Sequence, residues 1–166
     1  MTLREAVREL LVLELGDTEA AYEIRNTESS FDPMAYSFKY EFETELGTGY
    51  EVSITGYRQP GDPAGLNKYA GVTFVDDNRS YTHQTGEHDV YRVMATVIKA
   101  ARVFWENERE KIEKAWGARL QGFAFSGVGA TGKSSGQKNR IYKRFVKAKF
   151  PNATIEDDPN AILVKL

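Results

Sequence analysis

The chain contains no cysteine, which excludes disulfides and thiolate metal cages and agrees with a reducing compartment. Histidine is nearly as scarce. The only two, His83 and His88, lie five apart with no cluster of carboxylates beside them, so no metal site is expected. Long apolar runs are also missing, and none approaches the ~20 residues of a membrane helix. The opening stretch, MTLREAVRELLVLEL, carries acids and lacks a small-residue cleavage site, so it reads as a helix and not as a signal peptide. These absences lead to the expectation of one soluble cytoplasmic domain over residues 1–166, with no membrane partner.

What is present is ordinary for a globular chain: 41% hydrophobic and 28% charged residues. The formal net charge of −2 hides an asymmetry. Residues 1–90 hold 7 Lys/Arg against 17 Asp/Glu, whereas residues 91–166 hold 15 against 7. From Thr131 to Thr154 there are seven basic residues and no acid: Lys133, Lys138, Arg140, Lys143, Arg144, Lys147 and Lys149. Such a block is either the solvated face of a helix or a surface for an anion or a partner.

The hydrophobic pattern switches period along the chain. Leu3, Ala6, Val7, Leu10 and Leu11 fall on one helical face behind a Thr2/Glu5 capping box, and Gly16 is a natural stop. Ala21–Arg25 reads as a short strand. Tyr36, Phe38, Tyr40 and Phe42 then alternate with Ser37, Lys39, Glu41 and Glu43, the period of a half-buried strand. A Gly47-Thr48-Gly49 turn and the alternation of Tyr50, Val52 and Ile54 complete a hairpin over 36–58. Further strands are expected over Tyr69–Val75, Leu120–Ser126 and Ala161–Leu166, with Ser80–Gln84 extended. Val90, Met94, Val97, Ala101 and Phe104 recur at helical spacing, as do Ile98, Trp105 and Ile112. If unbroken from Asp89 to Trp116, that helix is roughly 40 Å long; a break near Asn107 is the alternative, and Gly117 ends it. A basic helix follows a glycine-rich loop, with Ile141, Phe145 and Ala148 on its apolar face. The expected fold is α+β, an antiparallel sheet of about five or six strands with the long helix and the basic C-terminal helix packed on it.

Gly127-Val128-Gly129-Ala130-Thr131-Gly132-Lys133-Ser134 matches the Walker A pattern between a strand and a helix. Its place argues against an NTPase. The downstream strand that would supply a magnesium-binding carboxylate is missing, and the only acids after it, Glu156-Asp157-Asp158, precede the last strand. Adjacent acids of this kind read as solvated turn formers. A passive anion loop at a helix N-terminus is the alternative.

The order of elements resembles the GNAT acetyltransferase fold: helix, meander, long helix, strand, helix, strand. That resemblance implies a coenzyme A pyrophosphate on backbone N–H groups at the start of the long helix. The corresponding segment here is Gln84-Thr85-Gly86-Glu87-His88-Asp89, with Glu87 and Asp89 where the fold's loop carries glycines. The acids would repel a pyrophosphate, so no cofactor is expected. The chain is also similar to a family of small tailed-bacteriophage proteins without assigned activity. The residues that carry this are Thr85-Gly86, Tyr91-Arg92-Val93-Met94-Ala95-Thr96-Val97-Ile98, Phe123-Ala124-Phe125-Ser126 and Lys138-Asn139-Arg140-Ile141-Tyr142-Lys143-Arg144-Phe145. The loop 127–137 is longer and richer in glycine than that family's pattern. This resemblance implies a phage accessory protein in the cytoplasm of an infected bacterium, acting by binding a host or phage macromolecule. A divergent acyltransferase and a weak nucleic-acid module are the alternatives. Anion or partner contacts fall to Lys133, Lys138, Arg140, Lys143, Arg144 and Lys147, and a pocket to Ser126 and Tyr142.

Overall fold

A computed structural model describes residues 21–58, 68–76, 87–125, 143, 146–147, 150–158 and 161–166. The expected helix over 3–11, the extended segment 80–84 and the Walker-A-like string 127–134 lie outside the described residues.

The aromatic alternation builds the centre of the sheet. Strands β1 (Arg25–Phe31), β2 (Ala35–Glu43), β3 (Gly49–Tyr57) and β4 (Tyr69–Asp76) form an antiparallel meander. In β2 every second residue from Tyr36 to Phe42 is buried, and β3 does the same from Tyr50 to Gly56. The β2–β3 turn is fixed by Gly47 at φ 81°, whose N–H bonds the Thr44 carbonyl at 2.9 Å. That left-handed conformation is one that glycine adopts without strain.

Helix α1 (Glu87–Asn107) and helix α2 (Arg109–Trp116) carry the chain from β4 to β5 (Gly122–Phe125), which lies parallel to β4. A parallel neighbour needs such a crossover, because a tight turn cannot reverse the chain twice. The break expected near Asn107 falls at Glu108. Gly117 closes α2 at φ 64°, its N–H on the Glu113 carbonyl at 2.9 Å. β7 (Ala161–Lys165) lies between β5 and β6 (Thr154–Asp158), antiparallel to both.

The fold is therefore α+β, as the sequence indicates, but the sheet is larger than expected and not wholly antiparallel. Among the described residues it has seven strands in the order β1-β2-β3-β4-β5-β7-β6. Two of the differences are edge strands. β1 begins where the expected strand Ala21–Arg25 ends, and all its residues are exposed, so it has no apolar period to betray it. β6 occupies the acidic run read as a turn. Its pairing is dictated by the backbone of β7, with Ile155 opposite Val164.

One face of the sheet packs against α1. Val97, Ile98, Ala101 and Phe104 are fully buried there with Val52, Ile54, Val72 and Phe123. Phe104 is the hub, its ring 5.7 Å from Tyr36, 5.3 Å from Phe38 and 6.3 Å from Phe123. The two tryptophans part company across the helix break. Trp116 is buried against Tyr36, and its indole N–H donates to the Asp32 carbonyl at 3.3 Å. Trp105 stays half-buried at the rim, between Phe123 and the Arg109 guanidinium.

Candidate functional site

The described side chains with the most polar character converge on one end of the sheet, where the Thr44–Thr48 turn meets the first turns of α1. Arg92, Thr96 and Lys99 stand at helical spacings of four and three, so they share one face of α1. All three grip Tyr22, in the segment that leads into β1. The Tyr22 N–H donates to Thr96 Oγ1 at 2.9 Å, and Lys99 Nζ donates to the Tyr22 carbonyl at 3.2 Å. The Tyr22 ring stacks on Phe42 at 5.8 Å, with the Arg92 guanidinium 3.9 Å from its centroid. The Thr96 hydroxyl is fully buried and donates to the Arg92 carbonyl at 2.6 Å. Arg92 also pairs with Glu45 of the β2–β3 turn. The Arg92-to-Val97 string of the sequence resemblance thus includes two residues that hold a neighbouring chain segment in place.

Beside this cluster a cleft of about 560 Å³ opens between the ends of β2, β3 and β4. Among the described residues, Glu41, Glu43, Glu51 and Asp76 line it with Arg25 as the one base, over the rings of Phe42 and Tyr50. Phe42 and Tyr50 stack at 5.2 Å and continue to Phe74 at 6.3 Å. Arg25 pairs with Glu41 at 2.9 Å, while Lys39 bridges Glu28 at 3.1 Å and Glu51 at 3.9 Å. These pairs are partly solvated and contribute little stability each. Their effect is on the field at the cleft, which remains acidic.

Among the described residues, two phenols are perturbed. Burial raises the Tyr36 pKa well above its ordinary range, and Tyr36 Oη has no hydrogen-bond partner. Tyr40 is pushed up to about 12 by burial and by the Glu108 carboxylate. Both rings lie in the core, and neither lines the cleft.

Of the residues named from sequence, Lys143 and Lys147 are described, both helical, Lys147 exposed and Lys143 half-buried. Between them Val146 is fully buried, and its carbonyl accepts the Phe150 N–H at 2.8 Å. Phe150 packs on Phe123 at 6.1 Å. Val146 and Phe150, which the pattern of apolar positions passed over, are therefore among the anchors of this segment. Lys133, Lys138, Arg140 and Arg144 lie outside the described residues, as do Ser126 and Tyr142. Sequence reasoning missed Thr96, since a lone threonine in an apolar helical stripe looks like core filler. Among the described residues no group of three His, Asp or Glu side chains could hold a metal, and no helix is long and apolar enough to cross a membrane. The chain matches no protein-family model, no curated protein and no solved structure.

Proposed function

We propose that this chain is a phage accessory protein that works by binding a host or phage macromolecule, on a GNAT-like scaffold without acyl-transfer activity. What supports the scaffold is the sheet order β1-β2-β3-β4-β5-β7-β6 with β4 and β5 parallel and α1 leading the crossover between them. The observation that carries the loss of acyl transfer is the start of α1 at Glu87. Glu87 and Asp89 stand in its first turn, so acids occupy the end of the helix that would otherwise favour a pyrophosphate. Calorimetry with acetyl-CoA tests this directly. No binding is expected; micromolar binding that disappears on mutating the segment 84–89 would establish a cofactor site and overturn the reading.

A second reading, weak nucleic-acid binding through the basic segment, is favoured by the split at its described residues: Val146 fully buried, Lys147 exposed. About four phosphate contacts would give a log-affinity slope against log salt near −3 to −4. Anisotropy titrations at low salt with Lys143→Glu and Lys147→Glu test it. No binding at tens of micromolar protein, or binding unchanged by the reversals, would eliminate this surface.

A further inference from the structure

We infer that the slot holding Tyr22 is a recognition site for an extended peptide segment carrying an aromatic residue, filled in cis by Ala21–Ile24 acting as a detachable strap. The inference rests on the binding-protein reading above and names a class of partner for it.

The argument begins with what the slot reads. It takes one backbone N–H through Thr96, one backbone C=O through Lys99, and one aromatic ring through a stack on Phe42 and the Arg92 guanidinium. Every one of those features belongs to any extended peptide with an aromatic side chain. The parts of the slot are also tied to the rest of the fold. Phe42 is fixed by its stack on Tyr50, Arg92 by Glu45, and the Thr96 hydroxyl by its bond to the Arg92 carbonyl. Preorganisation of this kind lowers the entropy lost on binding.

The strap, in turn, is attached in a way that lets it leave. It precedes β1, whose register with β2 starts at Arg25↔Glu41. The hydrogen bonds above that hold the Tyr22 backbone run to side chains of α1 and not to a strand ladder. Removing Ala21–Ile24 from the slot therefore breaks no rung of the described sheet. It would uncover the Phe42 ring, which is only 5% exposed with the strap in place. Opening of a segment outside the strand ladder can occur at lower free energy than global unfolding, here against the burial of Tyr22 and the packing of Ala21 and Ile24 on the core.

Hydrogen exchange on the full chain tests the strap first. The Tyr22 amide is expected to exchange faster than the amides of Val52 and Val72 in the central strands. Thr96→Val, which keeps the shape but removes the hydrogen bond, should speed Tyr22 exchange roughly fivefold to thirtyfold and leave Val52 and Val72 unchanged. Tyr22 exchanging in step with Val52 and Val72 would overturn the strap. The slot is tested with the capped peptide acetyl-Ala-Tyr-Glu-Ile-amide added to Tyr22→Ala, or to Tyr22→Leu should the alanine variant not fold. Because the cis strap competes at an effective concentration of about millimolar, the peptide should bind these variants and not the parent. Binding should shift the Thr96 and Lys99 amide resonances, and the same peptide with alanine for tyrosine should not bind. Absence of binding to either variant at about 1 mM peptide would overturn the slot. Acetyl-CoA binding would defeat the accessory-protein reading while leaving these measurements standing on their own.

Discussion

The two faces of the sheet are built from the same strands and have opposite chemistry. Tyr36, Phe38, Tyr40 and Phe42 point into the core under α1, while Ser37, Lys39 and Glu41 between them stay half-exposed and Glu43 is exposed. Across β3 the same division separates Tyr50, Val52 and Ile54 from Glu51, Ser53 and Thr55. One face buries large side chains completely, and burial of that kind is the main favourable term in folding. The other carries ion pairs in water, where each contributes at most about 1 kcal/mol. The lesson is a division of labour by pleat: stability resides on one face, and the charge resides on the other.

The comparison breaks most visibly at Phe104, which touches both the sheet and the helix layer. Phe104→Ala should cost about 3–5 kcal/mol, read as a drop in denaturant midpoint with little change in slope. A variant that melts like the parent would mean the aromatic hub is not the core. Gly122 comes next. It lies between Tyr69 and Lys165, and a Cβ built there would overlap the Val164 carbonyl oxygen. Gly122→Ala should therefore force β5 and β7 apart and cost about 1–3 kcal/mol. Unchanged stability would show that the two strands pair more loosely than the described contact.

Tyr36 sharpens the comparison from the opposite direction, as a polar atom on the apolar face. Tyr36→Phe removes a buried hydroxyl without a partner, so a gain of up to about 1 kcal/mol is expected by thermal or urea melting. A loss larger than that would reveal a partner for the hydroxyl. The sign with pH follows from the raised pKa. The contribution of the neutral phenol is complete below the ordinary value of 10.0 and fades as the pH climbs above it, so the Phe variant should lose less stability in alkali than the parent. Smallest of all is the polar face. Glu41→Gln, which disrupts the pair with Arg25, should change stability by less than about 0.5 kcal/mol at neutral pH and still less at high salt. A change near 2 kcal/mol would erase the distinction between the faces.

How much of this was legible follows the same physics. The alternation at 36–42 and 50–54 announces strands because each is buried on one side only, and the hairpin is found where the period predicts it. The helix break at Glu108 and the stop at Gly117 were legible from local chemistry. β1 and β6 were not, because an edge strand with polar side chains owes its conformation to its neighbour's backbone. The parallel pairing of β4 and β5 was equally hidden, since pairing direction leaves no mark on hydrophobic period. At the candidate site, the grip of Thr96 and Lys99 on Tyr22 joins residues more than seventy positions apart. No local spacing encodes such a contact.

The position of β7 between β5 and β6 has a consequence for the time course of folding. Strands β1 to β4 are sequence neighbours and can zip as successive hairpins soon after they are made. β5 must instead wait for residues past 160 before its second edge is paired, more than thirty residues further along the chain. Long-range pairing of this kind slows folding and leaves an unprotected strand edge in the interval. Until β7 is made, that edge of β5 offers unpaired N–H and C=O groups to another chain. Expression temperature and chaperone supply should therefore govern recovery of the protein more than the stability of its finished core.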